Sequence, residues 1–486
     1  MYKIGFDRDK YLIIQSKKII NRINSFDKLY LEFGGKIFGD MHGSRVLPGF
    51  EPDMKINLLK SLKDKTEIVF VINSTDIEKN RVQGDYGVNY VDNLVYLIEQ
   101  LQKNEIYVSS IVITNYANQK LVSKVRLRLT KIGLNVYTHY VIEDYPTNID
   151  LIISEEGFGK NDYIETTRPL VVVAAPGSGS GKMATCMSQL YHEFKRGIKA
   201  GYSKFEKFPV WNLPLTHPIN LAYEAATTNI MDQNMIDPFH LEAYGVSAVN
   251  YNRDIEAFPV LNAMFKQIFG VSPYKSPTDM GVNMIKECIT NEETCIKASK
   301  QEIIRRYYKL ICDEYIYGGV KDEIQKVEFL LNTAETKPTD REVVPIANEK
   351  SKVSKSPVIA LQLSNGNIVT GKATKLLSAS ASVLLNSLKV LADINDSVDL
   401  ISPNLIAPIQ NLYGNYLGNK EHLLQLDEVL LALSISTATN PTASLVLEHL
   451  PDLRNAQAHS TTILNQKIIA LFSELGVNVT CEPLSL

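Results

Sequence analysis

The stretch Pro169-Leu170-Val171-Val172-Val173-Ala174-Ala175-Pro176-Gly177-Ser178-Gly179-Ser180-Gly181-Lys182-Met183-Ala184-Thr185 decides the fold class of this chain. It opens as a continuous apolar, β-branched run, the pattern of a strand buried on both faces. It then passes through three glycines in five residues and continues into an amphipathic segment, so a helix is expected to begin near Lys182. Strand, glycine loop and helix in that order belong to a parallel α/β sheet. Glycines at 177, 179 and 181 let backbone N–H groups turn toward one point without Cβ clashes, and the helix N-terminus adds partial positive charge. Lys182 is placed to reach a terminal phosphate.

The loop is P-loop-like, measured against G-x-x-x-x-G-K-[S/T]. Pro176 replaces the leading glycine, and Met183 replaces the Ser/Thr that usually ligates magnesium. Thr185 stands two positions further on and on a different helix face, so it does not simply take over that role. The pattern therefore supports phosphate binding by Gly177, Ser178, Gly179, Ser180, Gly181, Lys182 and Thr185, with ATP or another phosphate-bearing ligand as the guest. It does not support magnesium-dependent cleavage.

Outward from the loop, similar apolar runs occur at Leu29–Phe33, Glu67–Ile72, Val108–Thr114, Leu134–Tyr140 and Asp150–Ser154. Amphipathic segments at Met54–Leu62, Val91–Gln102 and Gln119–Lys131 alternate with them. The reading is α/β: an N-terminal doubly wound, mostly parallel sheet over 1–215 with right-handed crossovers. A mainly helical region is expected over 216–332, with helices at Asn220–Met231, Asp254–Phe269, Gly281–Asn291 and Glu293–Tyr315. Residues 333–357 are rich in Lys, Glu, Ser, Thr and Pro and read as a linker, with Val343-Val344-Pro345-Ile346 as a short edge strand. A separate, smaller α/β C-terminal domain follows over 358–486. It opens on a hairpin turned by Ser364-Asn365-Gly366-Asn367 and closes on a strand at Val477–Cys481.

Composition narrows the function classes. A formal charge of -3 gives no basic excess to neutralise nucleic-acid phosphates. The N-terminus lacks the apolar stretch of a signal peptide, and no run approaches the ~20 apolar residues of a membrane span. Five scattered cysteines without a C-x-x-C argue for reduced, buried thiols rather than a disulfide scaffold. The expectation is a cytoplasmic homo-oligomer that binds a small phosphate-bearing ligand, with no nucleic-acid or membrane partner.

Other clusters compete for chemistry. Gly34-Gly35-Lys36-Ile37-Phe38-Gly39-Asp40-Met41-His42-Gly43-Ser44-Arg45 follows the first strand, where sheet proteins bind ligands. Arg45 could grip a phosphate in bidentate fashion, with Asp40 and His42 as catalytic candidates. Lys160, in Glu155-Glu156-Gly157-Phe158-Gly159-Lys160, and Arg168 could add charge to the same cleft. Asn73-Ser74-Thr75-Asp76 is a weaker polar turn after the second strand. Asp237 and His240 form an acid/base or metal pair on one reading and a helix N-cap on the other; spacing fixes no third ligand, so no metal is assigned. His459-Ser460-Thr461 reads as a helix cap, since adjacent residues do not offer a hydrolytic geometry. No H-E-x-x-H, nucleophile elbow or Cys–His signature occurs.

Four strings carry a resemblance: Thr166–Cys186 around the glycine loop, Asn234–Gly245, Lys275–Asn283 and Ala458–Thr461. Together they resemble a bacterial family known as domain of unknown function 1846, or uncharacterised protein family 0371. The resemblance implies an α/β N-terminal region, a helical insertion and a distinct C-terminal domain, and no activity. Function thus rests on the glycine loop: a nucleotide- or phosphometabolite-binding protein, with an ATP-dependent enzyme as one form of it and a non-catalytic ligand-sensing or assembly protein as the alternative. A metal-dependent hydrolase centred on Asp237 and His240 is the weaker alternative.

Overall fold

A computed structural model describes residues 3–82, 87–419 and 421–483. Its contacts divide the chain into two compact units, one spanning Ile4–Ser299 and one Lys300–Leu486 with the first three residues.

The first unit is built on six parallel strands: β1 Lys28–Phe33, β2 Thr66–Asn73, β3 Val108–Tyr116, β4 Asn135–Tyr140, β5 Leu170–Ala174 and β6 Ala200–Phe205. Their spatial order is β4-β3-β2-β5-β1-β6. Every residue of β1 and β5 is buried, which is why β5 reads as an unbroken apolar run, while in β1 the buried Lys28 pairs with Glu193 and Glu32 accepts from the Tyr202 hydroxyl. Side-chain alternation splits β1 between two cores. Leu29, Leu31 and Phe33 join the helices Met54–Ser61, Tyr90–Lys103 and Lys120–Thr130. Tyr30, with Val171 and Val173 of β5, faces the helices Lys182–Lys195 and Asn252–Phe269. The connections from β1 to β4 therefore cover one face, and the return through β5 to β6 covers the other, as right-handed crossovers require.

Two sequence expectations give way here. Asp150–Ser154 forms no strand but holds the short helix Ile149–Ile152, whose start is fixed by Asn148 Oδ1 accepting from the Leu151 amide at 3.2 Å. Gly281–Asn291 is not a helix: only the single turn Lys286–Cys288 forms, and Lys204 pairs with Gly281 in a parallel bridge that covers the outer edge of β6. A small antiparallel ribbon, β7 Asn234–Ile236 with β8 Val249–Tyr251, completes the unit.

The second unit carries a mixed sheet in the order β10-β9-β11-β12, from β9 Val358–Gln362, β10 Ile368–Lys372, β11 Gln457–Ser460 and β12 Asn478–Cys481. The expected hairpin and closing strand are present. The segment expected as a linker is ordered: Val343–Ser354 is a helix that buries Val343, Val344 and Ala347, so Val343–Ile346 is its first turn and not an edge strand. Its polar composition belongs to the opposite, exposed face. His459 and Ser460 lie within β11, and the cap of the following helix Gln466–Glu474 is Asn465. His459 packs 4.8 Å from the Tyr308 ring and bonds Thr480 Oγ1 at 2.9 Å, a core position. All five cysteines are buried free thiols. Among the described residues, no helix is long and apolar enough to cross a membrane.

Candidate functional site

The glycine loop leaves the carboxyl end of β5, which lies between β1 and β2. The chain exits β1 and β2 toward one face and β5 toward the other, so the loop occupies the crevice where the winding reverses, the usual ligand position in open α/β sheets. Its shape is set by residues at the ends of two neighbouring strands. Thr114, at the end of β3, donates its hydroxyl to the Ser180 carbonyl at 2.8 Å, and Asn73, at the end of β2, donates Nδ2 to the Gly179 carbonyl at 3.2 Å. Ser180 Oγ turns back to the Gly177 carbonyl at 2.7 Å, and the Thr185 amide takes the Gly181 carbonyl at 2.9 Å. Gly179 and Gly181 adopt φ of +72° and +88°, the left-handed region that glycine enters without strain. A side chain at Gly177 would collide with the ring of Tyr90.

The consequence is a polarised loop. The carbonyls of Gly177, Gly179, Ser180 and Gly181 are tied to the protein, whereas the amides of Gly177, Ser178, Gly179, Gly181 and Lys182 have no protein acceptor among the described residues. The helix Lys182–Lys195 starts from Gly181 without a side-chain cap, leaving its first-turn donors open as well. Thr185 is fully buried in that helix, and its hydroxyl has no hydrogen-bond partner among the described residues.

A second cluster sits at the end of β1, the neighbour of β5. Asp40 caps the short helix Met41–Val46 through the Gly43 amide and pairs with the Lys207 ammonium. Lys55, only 3% exposed, donates to the carbonyls of Gly34 at 2.5 Å and Lys36 at 2.9 Å, with Asp40 Oδ2 at 3.9 Å. Burial alone would raise the Asp40 pKa, but the Lys207 and Lys55 ammonium groups outweigh it and hold the carboxyl well below the usual range. Burial, reinforced by Lys207, pushes Lys55 down to about 7 against the pull of Asp40 and Glu206; Lys182 is a further positive charge acting on it. Lys55, invisible as a site residue in the sequence, thus links the Asp40 turn electrostatically to the glycine-loop lysine.

This arrangement has a measurable pH signature. Between about 7 and the ordinary lysine value of 10.5, the unfolded chain holds a proton on Lys55 that the folded chain does not. Stability from this group therefore climbs as pH rises through that window. Denaturant midpoints at pH 6.5 and pH 9 should show a larger rise for wild type than for Lys55→Met. Equal rises in the two proteins would mean that Lys55 is not held neutral by its surroundings.

The remaining candidates divide cleanly. His42 packs edge-on to Phe208 and Tyr223, and Arg45 lies in the last turn of the helix Met41–Val46, so both stay with the Asp40 turn. Arg168 precedes β5 and donates to the Thr66 carbonyl at 2.8 Å, at the opposite end of the strand from the loop. Five strand residues separate the two ends, on the order of 17 Å, which removes Arg168 from the phosphate site. Lys160 is ion-paired with Glu156 at 2.5 Å, in a turn whose Phe158 packs 6.4 Å from Tyr191, more than two helical turns below Lys182. It does not form a wall of the crevice.

Asp237 caps the helix Pro238–Tyr244 through the amides of Phe239 and His240, and its other oxygen takes the Thr278 hydroxyl at 2.6 Å. His240 bonds Ser276 Oγ at 2.9 Å. Among the described residues no group of three His, Cys, Asp or Glu side chains is placed to hold a metal ion.

Two family models match the chain: Domain of unknown function DUF1846, N-terminal, over residues 4–335, and its C-terminal counterpart over residues 339–485. Among similar proteins are UPF0371 proteins of Streptococcus pyogenes serotype M5 (strain Manfredo) and serotype M18 (strain MGAS8232), each 51% identical over 484 residues, covering 99% of this chain and 98% of the relative. A UPF0371 protein of Streptococcus equi subsp. equi (strain 4047) matches to the same extent.

Proposed function

The chain belongs to the DUF1846 family, and from the geometry of its crevice we propose that it binds a phosphate-bearing small molecule at the glycine loop. One observation carries this reading: the loop's carbonyls are tied back by Asn73, Thr114 and Ser180, while its amides and the uncapped helix start remain open beside Lys182. Inward-turned N–H groups at a helix N-terminus form a site for an anion. Lys182 supplies the formal charge, and Lys55 adds a proton-dependent one behind it. Metal-ion and nucleotide-cleaving roles are less well supported, because Met183, at the position of the usual magnesium ligand, packs against the apolar core instead.

Titration calorimetry with inorganic phosphate and with ATP, each in magnesium and in EDTA, tests the reading. The expected result is binding of phosphate with the same Kd in both buffers, because the loop amides and Lys182 provide all the contacts. A strict requirement for magnesium, or no heat with either ligand, would overturn it.

A further inference from the structure

The helix Lys120–Thr130 follows β3 and packs on β3 and β4. From residue 119 to residue 134 the chain has five basic residues, Lys120, Lys124, Arg126, Arg128 and Lys131, and no acidic one. Val122 and Leu129 are buried and fix the inward face of the helix. At about 100° per residue, Lys120, Lys124, Leu127 and Lys131 then share the outward stripe. All four are exposed, and Leu127, at the centre of the stripe, is 61% exposed. Leu121 on its flank and Ile132 just past it are exposed as well.

Two features destabilise this helix with no compensation inside the protein. Lys120 stands in the first turn, where the helix dipole disfavours a cation, and neither an acidic residue nor a side-chain cap offsets it. Lys120 and Lys124, and again Lys124 and Arg128, are like-charge neighbours one turn apart, which weakens a helix. Of the five basic residues only Arg128 has a carboxylate partner among the described residues, Asp92 at 2.8 Å. Surface lysines elsewhere sit beside acids, as Lys309 does with Asp313 and Lys467 with Asp427. The whole-chain charge of -3 conceals this face, because a sum does not record where charges lie.

Charge complementarity asks for an anionic partner, and the make-up of the stripe selects its kind. Lysine is a point charge on a flexible apolar stem, which suits a diffuse layer of anions; recognition of a single phosphate or carboxylate favours the arginine fork. The centre of the stripe is a leucine, not an aromatic ring or an amide that would stack on a base or read its edge. Leucine framed by lysines is the pattern of a helix lying in a membrane interface, with its apolar side chain at the acyl boundary and its ammonium groups among the headgroups.

We propose that the outward face of the helix Lys120–Thr130 docks on an anionic phospholipid bilayer. Lys120, Lys124 and Lys131 attract the headgroups, and Leu127, flanked by Leu121 and Ile132, enters between them. The contact is peripheral, since Val122 and Leu129 keep the inner face of the helix in the core of the sheet.

Sedimentation of the full chain with lipid vesicles tests this. Wild type should partition ~10-fold or more strongly onto phosphatidylcholine vesicles containing about one-third phosphatidylglycerol than onto phosphatidylcholine alone. Most of that gain should vanish at about 0.5 M salt, where surface charges are screened. The triple variant Lys120→Gln, Lys124→Gln, Lys131→Gln should lose most of the gain, and Leu127→Gln should lower it severalfold. A second triple variant, Lys10→Gln, Lys17→Gln, Lys18→Gln, alters exposed lysines of the helix Arg8–Ile23 and changes the net charge equally. It should keep the gain in full. Every substituted position is exposed, and melting curves check that each variant is folded. Equal partition of wild type onto the two kinds of vesicle would overturn the proposal, as would equal losses in the two triple variants or undiminished partition in Leu127→Gln. A wild type that binds duplex RNA and ignores the anionic vesicles would overturn it as well.

Discussion

Replacing Arg341 with methionine is expected to lower folding stability by about 3–4 kcal/mol, the largest effect of any single change considered for the second unit. The guanidinium is 1% exposed and bonds the carbonyls of Asn478 at 2.7 Å and Ala458 at 3.1 Å, Thr480 Oγ1 at 3.1 Å and Gln457 Oε1 at 3.0 Å. It therefore clamps β11 to β12 from within the packed interior. Methionine fills much of the same volume but donates nothing, so several buried acceptors lose their partner at about 1–3 kcal/mol for each one left bare. Arg341→Lys should recover only part of the loss, since an ammonium does not reproduce the planar fork. Urea denaturation followed by circular dichroism measures the effect. A destabilisation under about 1 kcal/mol for Arg341→Met would show that the carbonyls find other donors.

The second large effect is on binding. Gly181→Val should abolish phosphate binding, a loss of at least ~100-fold, while lowering stability by only about 2 kcal/mol. Gly181 sits at φ +88°, a region that β-branched residues all but never occupy, and a Cβ would press on Thr114 at 3.1 Å. Valine must therefore move the loop off its anchor at Thr114, carrying the amides of Gly181 and Lys182 with it. Gly366→Val, a positive-φ glycine in the β9–β10 hairpin, is the matched control. It should lose similar stability and keep full binding. Undiminished affinity in Gly181→Val would show that the loop conformation does not make the site.

The sheet was legible because strands buried on both faces must be apolar throughout, as at Leu170–Ala174 and Ile68–Ile72. β6 was not, because Ala200-Gly201-Tyr202-Ser203-Lys204-Phe205 carries a lysine and a serine that a strand tolerates only when its neighbours supply an ion pair. Helix Val343–Ser354 was read as linker for a related reason: a one-sided helix of twelve residues needs few apolar positions, and here three buried ones suffice. The opposite error, a strand at Asp150–Ser154, shows how a four- or five-residue apolar run fails to distinguish a strand from a single helical turn.

The candidate site followed the same division. The glycine loop is contiguous, so its chemistry lay open in the sequence. Its anchors, Asn73 and Thr114, are separated from it by 106 and 66 residues and meet it only because β2 and β3 end on the same edge. Asn73 belongs to the polar turn singled out from the sequence; Thr114 looked like any residue ending a strand. Lys55 gave no sign in the sequence, and only its burial reveals it. Arg168 is instructive in the other direction. A residue just before a strand lies at the edge opposite the loop that follows it, and strand polarity alone removes it from the crevice.

The most direct test of the central claim is the melting temperature of wild type and Lys182→Ala across a series of inorganic phosphate concentrations. Ligand at ~100 times its Kd adds ~2.7 kcal/mol to the folded state, a rise of a few degrees that is readily read. The account predicts that wild type shows this rise and that Lys182→Ala requires ~10–100-fold more phosphate for the same shift, the loss of one charge-assisted contact. A wild-type melting temperature indifferent to phosphate, or a rise identical in the two proteins, would contradict it.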